Sequence, residues 1–202
     1  MERVQPPASR HARPPPHAAQ RFARSATVTD AAARALGGVH AGLWLRPIGA
    51  RDEAALQRLF ARLTPVEIRR RFLYSVRELP PGAALRLCTP DGVHEQAWVI
   101  AGSAAAGAGE LHGVGRMFAD PVCRSAEFAL LVERSHAGRG LGRRLLQQLL
   151  AFARANDLNE LWSHVAGDNQ AMLALARGHD GSLTPVAGDP GVVQVRIPVP
   201  AA

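Results

Sequence analysis

The stretch that decides the fold is the apolar run Ala126-Glu127-Phe128-Ala129-Leu130-Leu131-Val132, followed closely by Gly138-Arg139-Gly140-Leu141-Gly142. The second segment opens a helix whose apolar residues recur at three- and four-residue spacings. Glycines let a backbone approach an anion closely, and the amides and dipole of a helix N-terminus favour negative charge. The junction therefore predicts a phosphate-binding loop, with Arg139, Arg143 and Arg144 as nearby donors. Glycines that serve only close packing of the helix are the alternative interpretation.

Two common phosphate loops do not fit this segment. A dinucleotide-binding loop needs glycines at its first, third and sixth positions, and the sixth residue counted from Gly138 is Arg143. A Walker A loop needs Gly-Lys followed by Ser or Thr, and the chain contains no lysine. The sequence therefore excludes nucleotide binding by either of these loops.

The segment from Glu127 through Asn169 resembles the acetyl-CoA-binding core of the GNAT superfamily of N-acetyltransferases. The family motif is Arg/Gln-x-x-Gly-x-Gly/Ala between a strand and a helix, and here its six positions run from Ser135 to Gly140. Ser135 stands where the family has Arg or Gln, while the backbone amides of the loop remain. The resemblance implies an α/β GNAT fold with a mixed, mostly antiparallel central sheet flanked by helices.

Further segments are similar to the acetyltransferase domain of bacterial Pat-type protein lysine acetyltransferases. This similarity covers roughly residues 43–198. Its segments are Leu45-Arg46-Pro47-Ile48 with Asp52-Glu53, Arg69-Arg70-Arg71-Phe72, Ala126-Glu127-Phe128, Gly138 to Gly142, and Asn169 to Arg177.

The resemblance assigns roles to individual residues. Glu127 matches the glutamate that Pat-type enzymes use as general base, with a carboxylate paired to an arginine as the alternative. Backbone amides near Leu131 and Val132 are expected to hold the pantetheine arm and to polarise the thioester. Asn169 is expected to contact the cofactor, although it could equally be a helix N-cap. The remaining cofactor-binding residues implied by the family loop are Gly138, Arg139, Gly140, Leu141, Gly142 and Arg143.

The implied activity is direct transfer of an acetyl group from acetyl-CoA to a primary amine, with a protein lysine side chain as the expected acceptor. A small-molecule amine is an alternative acceptor. Many relatives place a tyrosine at the position of Ala176 as general acid, and an aromatic residue is missing from Gly178 to Ser182. These departures leave a second alternative, an acetyl-CoA-binding module with little or no catalysis.

The length and composition predict one globular domain with a tail. The chain has 202 residues, of which 47% are hydrophobic, enough for the core of one α/β domain. Residues 1–42 are rich in Pro and Arg, carry a net charge of +4 and show no sustained apolar period, so we expect a disordered tail there. Residues 43–202 form the predicted acetyltransferase domain.

The basic composition does not predict a nucleic-acid-binding protein. The sequence pI is near 11.2, but all 24 basic residues are arginine and aromatic residues are only 5%. No nucleic-acid-binding motif accompanies this charge, and much of the excess lies in the tail. The lack of lysine also means that a lysine acetyltransferase of this sequence cannot acetylate its own side chains.

The remaining composition bears on compartment and metals. Two cysteines and the lack of an apolar run of 18 residues predict a cytoplasmic protein outside the membrane. The spacing of the histidines His112, His136, His164 and His179 does not match that of metal ligands, so no metal is expected.

The tryptophans Trp44, Trp98 and Trp162 are interpreted as packing residues of strands. Arg69 to Arg71 are interpreted as a solvated helix face or as a contact for an acidic protein substrate.

Periodicity and turn residues place the elements. We expect strands at 43–48, 97–101, 111–119, 127–132, 161–165 and 192–197. Helices are expected after Asp52 as N-cap, after Thr64-Pro65-Val66-Glu67, near 83–87, from Leu141 onward and over 169–177. The segment 102–109 is expected to be a flexible hairpin connection.

Overall fold

The computed structural model describes residues 33–73, 79, 82–120 and 122–200. The strands are β1 (Arg34–Ala35), β2 (Trp44–Pro47), β3 (Glu95–Ala101), β4 (Leu111–Asp120), β5 (Ser125–Val132), β6 (Glu160–Ala166), β7 (Ser182–Val186) and β8 (Asp189–Pro198). The helices are α1 (Glu53–Arg62), α2 (Pro65–Phe72), α3 (Ala83–Cys88), α4 (Leu141–Ala155) and α5 (Gln170–Arg177). Short 3-10 turns lie at Gly38–His40, Ala50–Asp52 and Arg134–His136.

The strands form one mixed sheet in the order β1-β2-β3-β4-β5-β6-β8-β7. Among the described residues, β5 and β6 are the parallel pair and the other neighbours are antiparallel. The prediction of a mixed, mostly antiparallel sheet flanked by helices is confirmed. The parallel step lies at the strand that feeds the glycine loop.

Alternate residues of the central strands pack against helices on opposite faces of the sheet. Ala126 and Phe128 of β5 belong to a core that also contains the buried stripe of α4. That stripe consists of Leu141, Leu145, Leu146, Leu149, Leu150 and Ala153, as the apolar spacing predicts. Leu131 instead packs on the opposite face against a second core, built around α1. The sheet therefore lies between α4 and α5 on one face and α1 to α3 on the other.

The start of α2 follows the sequence signal. Thr64 Oγ1 accepts from the Glu67 amide (3.3 Å), and Glu67 accepts from the Thr64 amide (2.8 Å), with Pro65 in the first turn. This reciprocal capping satisfies amides that the helix itself leaves unpaired. The predicted capping box is confirmed.

Asp52 occupies the predicted N-cap position of α1, but its side chain makes no cap hydrogen bond there. Asp52 is buried and accepts from Arg46 Nη1 (2.7 Å) and Nη2 (2.8 Å), and from the amides of Gly49 and Gly107 (both 2.9 Å). These four donors fill the carboxylate, which can accept about four hydrogen bonds. The predicted flexible connection at 102–109 therefore contributes a contact to a buried ion pair.

The domain begins before the predicted boundary at residue 43. β1 pairs with β2, with Arg34 opposite Leu45, and Leu36 is buried in the α4 core. Short strands with few apolar residues give weak periodicity, which also explains why β7 was not predicted. The rest of the predicted tail, residues 1–32, lies outside the described residues.

Candidate active site

The parallel strands β5 and β6 separate soon after they meet. Within the described part of the chain, their pairing joins Ser125–Glu127 to Glu160–Trp162 and ends there. β5 nevertheless continues to Val132 and β6 to Ala166. A wedge-shaped gap therefore opens in the middle of the sheet, on the side of the glycine loop.

The register decides which amides of β5 face this gap. The amide of Glu133, just beyond β5, donates to His112 O (3.0 Å), and the β4 pairing runs without a bulge from Gly113–Val132 to Asp120–Ser125. Because amide direction alternates along a strand, Leu131 directs its N–H towards β4, while Leu130 and Val132 direct theirs towards the gap. Of the two predicted amides, that of Val132 therefore faces the gap and that of Leu131 does not, while the Leu130 amide also faces it.

The side chain of Leu131 has a different environment. It lines an apolar groove, open to solvent, between α1, α2 and the face formed by β4 and β5. Leu56, Phe60 and Phe72 also line this groove. The side chain of Leu131 therefore lies in this groove, on the face of the sheet opposite α4.

The glycine loop is shaped for an anion. Gly138 has φ +74° and Gly140, the N-cap of α4, has φ +84°, both values that disfavour residues with a Cβ. A Cβ at either position would meet nothing within 4 Å, so the space beside the loop is open. Gly140 offers no side-chain cap to the first amides of α4. These amides are therefore available to an anion at the mouth of the gap.

The other residues predicted in the loop divide into core and surface. Leu141 is the first residue of α4, and its side chain is buried in the core, so that only its backbone amide can reach a ligand. Gly142 lies inside the helix, where a Cβ would make only ordinary contacts with Leu175 (3.8 Å) and Val132 (4.0 Å). Arg139, Arg143 and Arg144 are exposed at the same helix terminus. The terminus thus combines oriented amides with exposed positive charge.

Ser135, at the first position of the motif, has its side chain engaged with residues of the same turn. Its hydroxyl donates to Glu133 Oε1 (2.9 Å) and lies 3.0 Å from His136 Nδ1. The first position of the motif is therefore used to fix the loop from within.

Glu127 lies on the face of the sheet that carries α2, at the position where the gap begins. Its side chain is exposed, whereas those of its neighbours Ala126 and Phe128 are buried on the α4 face. The register places Phe118 of β4 and Trp162 of β6 directly beside Glu127. Residues opposite one another in a sheet share a face, so the carboxylate lies between two aromatic side chains.

Sequence reasoning missed these two aromatic residues. Phe118 is 44% exposed and Trp162 is partly exposed, in contrast to Trp98, which is buried against Phe152 at a ring distance of 5.4 Å. The interpretation of the tryptophans as packing residues therefore holds fully for Trp98, whereas Trp162 packs edge-on against His164 (5.5 Å between ring centroids) and is partly exposed. The position of Phe118 and Trp162 beside Glu127 depends on the strand register, which periodicity alone does not give.

Asn169 is placed as a helix cap. Its Oδ1 accepts from the Met172 amide (3.2 Å) at the start of α5. The contact with a cofactor that the resemblance implies stays a prediction. Ala176 is fully buried in α5, so the position of the family's tyrosine belongs to the core.

Two arginines of α2 form hydrogen bonds with the loop that follows β6. α2 packs against both β5 and β6, and Arg69 Nη2 donates to Asp168 Oδ2 (2.6 Å). Arg70 donates to the carbonyl of Asp168 (3.1 Å). These arginines therefore form a link between α2 and the loop after β6, near the opening beside Glu127.

A family model described as the acetyltransferase (GNAT) family matches residues 65–179. The chain belongs to the GNAT acetyltransferase family. The matched region contains β5, the gap, the glycine loop and α4, which together form the site described above. The enzyme is thus an acetyltransferase, and acetyl-CoA is the acyl donor of its family.

Solved structures share this fold. The GNAT domain of S. lividans PAT superposes with a TM-score of 0.68 at 21% identity, over 77% of this chain and 90% of that one. A RimL ribosomal L7/L12 alpha-N-protein acetyltransferase in complex with coenzyme A gives 0.62 at 19% identity, over 79% and 96%. A spermidine N-acetyltransferase from Vibrio cholerae gives 0.55 at 18% identity, over 77% and 92%. At these identities the likeness shows the fold alone.

Among the described residues, none of the helices has the length and apolar character needed to cross a bilayer.

Proposed function

We propose that this GNAT enzyme transfers an acetyl group from acetyl-CoA to a lysine side chain of a protein, with Glu127 as general base. The observation that carries the proposal is the exposed Glu127 carboxylate, between Phe118 and Trp162, at the point where β5 and β6 separate. We place the enzyme in the cytoplasm as part of the same proposal.

The gap and the loop fit the acyl donor. The amides of Leu130 and Val132 supply hydrogen bonds to the pantetheine arm, whose own amides need partners. The amides at Gly138, Gly140 and Leu141, with Arg139 and Arg143, supply donors and positive charge to the pyrophosphate. Open space beside Gly138 and Gly140 leaves room for the phosphates.

The acceptor must lose a proton before it can react. A lysine ammonium has a pKa of about 10.4, so almost none is neutral at pH 7. Glu127 takes this proton, directly or through a water molecule, and the freed amine attacks the thioester carbon. The C–N bond forms, the C–S bond breaks, and the nitrogen releases its second proton to solvent. An amide of β5 donates to the carbonyl oxygen while negative charge develops there.

The leaving group needs little assistance. A thiol has a pKa of about 8.5, so coenzyme A can depart as a thiolate and take its proton from solvent. The burial of Ala176, where relatives have tyrosine, is compatible with such a departure. The base therefore matters more than an acid for this enzyme.

The surroundings of Glu127 support a cationic acceptor on a large molecule. Aromatic faces attract ammonium groups, by about 0.5–1 kcal/mol at exposed sites. Phe118 and Trp162 flank the carboxylate on an exposed part of the sheet face, which a protein surface can approach.

The role of Glu127 is tested with Glu127→Gln. We expect turnover at pH 7 to fall by roughly 10²- to 10⁴-fold, because the variant cannot accept the proton, while coenzyme A affinity is retained. The matched control is Glu160→Gln, which makes the same change at a partly exposed carboxylate of the neighbouring strand paired with Arg196 (2.5 Å). Equal rates for Glu127→Gln and the wild type would refute the proposed base.

The acceptor is identified by incubating the enzyme and acetyl-CoA with a cell lysate and mapping new acetyl groups by mass spectrometry. Enzyme-dependent acetyl-lysines that are absent with Glu127→Gln support a protein acceptor. Acetylation confined to spermidine, aminoglycosides or amino acids assayed in parallel would replace it with a small amine. Coenzyme A binding with no thiol release from any of these amines would contradict catalysis altogether.

A further inference from the structure

A second cluster of functional side chains lies at the far end of β5, around Glu133. Glu133 is buried, and its Oε1 lies 2.7 Å from His112 Nδ1, 2.9 Å from His136 Nδ1 and 2.9 Å from Ser135 Oγ. Its Oε2 accepts from Arg62 Nε (3.0 Å). The carboxylate thus joins α1, β4 and the turn before the glycine loop.

Several side chains that can bind a metal lie close together in this cluster. Three polar groups converge on one carboxylate oxygen, which has two lone pairs. The rings of His112 and His136 stack with their centroids 4.1 Å apart and their planes 32° apart. As a result, one ligand atom from each of His112, Glu133 and His136 lies within 4.8 Å of the others.

We propose that His112, Glu133 and His136 bind a divalent transition-metal ion of the zinc class. Two imidazoles and one carboxylate are a donor set that suits Zn²⁺ and its chemical relatives Co²⁺ and Ni²⁺. A tetrahedral zinc ion with bonds of about 2.1 Å needs ligand atoms about 3.4 Å apart, so that the present contacts must open by less than about 1 Å. Side-chain exposures of 17%, 10% and 21% leave a path for the ion and for water in the open position.

Neighbouring residues hold the carboxylate in place for this task. Arg62 and Ser135 bond Glu133, as partners of metal-binding carboxylates do, and fix its orientation. The positive charge of Arg62 is shared with Glu110, whose Oε2 lies 2.6 Å from Arg62 Nη1. Arg62 is therefore neutralised in part by a carboxylate outside the metal site.

The position of the site indicates a structural role. Glu133 and Glu127 are six residues apart on one extended strand, a separation of about 20 Å, so the ion does not touch the reacting groups. His136 lies two residues before Gly138, and Glu133 directly follows β5. The ion would hold the end of β5 and the glycine loop together, on the side where coenzyme A enters.

The site is tested with the full chain and Co²⁺ or Zn²⁺ alone. We expect one Co²⁺ per chain, with visible ligand-field absorption, and one Zn²⁺ by calorimetry, together with a melting temperature that rises with Zn²⁺ concentration. In His112→Ala and in His136→Ala the affinity should fall by about 100-fold or more, and in Ser135→Ala by about tenfold. This readout does not depend on acetyl transfer, so it stands apart from the test of Glu127.

Controls separate this site from other ligands in the chain. His179→Ala removes a histidine that bonds the carbonyl of Leu175 (3.0 Å), and a His11→Ala/His17→Ala double variant removes two histidines of the N-terminal region. Both should bind Co²⁺ as the wild type does. Circular dichroism verifies folding, and Glu133→Gln gives a further variant that retains the side-chain shape. Loss of binding confined to the His112, Glu133 and His136 variants supports the site, whereas no binding, or binding unchanged in a His112→Ala/His136→Ala variant, overturns it.

Discussion

Beside β2, the buried Arg46–Asp52 pair satisfies its polar groups within the protein, whereas the junction of β5 and β6 leaves backbone amides for a ligand. On the first side, the Arg46–Asp52 pair is almost fully buried and each carboxylate oxygen has its donors. On the second, the amides of Leu130 and Val132 face a gap. The fold thus places a buried ion pair and a gap for a ligand in neighbouring parts of one sheet. Substitutions in the two parts should have different consequences.

The largest effect on stability is expected from Asp52→Ala. The change leaves the buried guanidinium of Arg46 without a carboxylate, bonded only to the carbonyls of Ser103 and Pro47. Breaking a buried ion pair in this way costs about 3–5 kcal/mol in the free energy of unfolding. Denaturant unfolding measures this loss. The matched control, Glu160→Ala, breaks the exposed pair with Arg196 and should cost about 0–1 kcal/mol. Similar losses for the two variants would show that burial of the first pair has no special importance.

The same contact should set the acid stability of the enzyme. Burial alone would raise the pKa of Asp52, but hydrogen bonds from Arg46, Gly107 and Gly49 outweigh it and lower the pKa below 3.8. A carboxyl group with a lowered folded-state pKa stabilises the fold above its unfolded pKa, and this stability is lost as the pH falls through the folded value. We therefore expect the contribution to be intact at neutral pH and lost below about pH 3.8. Unfolding curves at several pH values should show a weaker acid dependence for Asp52→Asn, and equal slopes would contradict this.

On the binding side, Gly140→Ala should affect both stability and coenzyme A affinity. A residue with a Cβ at φ +84° costs about 1–2 kcal/mol. The added methyl group also enters the open space where the pyrophosphate is proposed to lie, so we expect about tenfold weaker coenzyme A binding by calorimetry, or about 1.4 kcal/mol.

Two other glycines provide the controls for Gly140. Gly188 has φ +82° and open space in the turn between β7 and β8, so Gly188→Ala should show similar strain with unchanged coenzyme A affinity. Gly142→Ala places a methyl group in helical backbone with ordinary contacts and should increase stability by about 0.5–1 kcal/mol. Equal coenzyme A affinity in Gly140→Ala and Gly188→Ala would remove the loop from the pyrophosphate site.

Much of the fold could be predicted from local signals. The buried stripe of α4 and the capping box of α2 follow from spacing and from residue type at the helix start, because both depend on interactions within a few residues. Asp52 shows the limit, since the same residue type at a helix start bonds Arg46 and a loop 55 residues away. Local sequence does not show that these distant donors compete with the helix amides for the carboxylate of Asp52.

The candidate site also contains residues that local sequence predicts and residues that it does not. Gly138 and Gly140 could be found because positive φ selects glycine, and Glu127 because it matches a family pattern. The positions of Phe118 and Trp162 beside Glu127, and of His112 beside Glu133, depend on strand register. The hairpin of β4 and β5 brings His112 and His136 together across 24 positions, a relation that no short ligand spacing displays.

The smallest effect is expected at Asn169, where the two parts of the comparison meet. Asn169→Ala removes the cap of α5 and should lower the free energy of unfolding by about 1 kcal/mol. Asn169→Ser keeps a side-chain oxygen for the Met172 amide and should restore most of this loss, because Ser and Asn cap helices about equally well. If the cap is the whole role of Asn169, coenzyme A affinity measured by calorimetry is the same for Asn169→Ser and the wild type. Restored stability with weakened coenzyme A binding would instead show that the amide group touches the ligand, and would extend the binding surface from β5 across the gap to the start of α5.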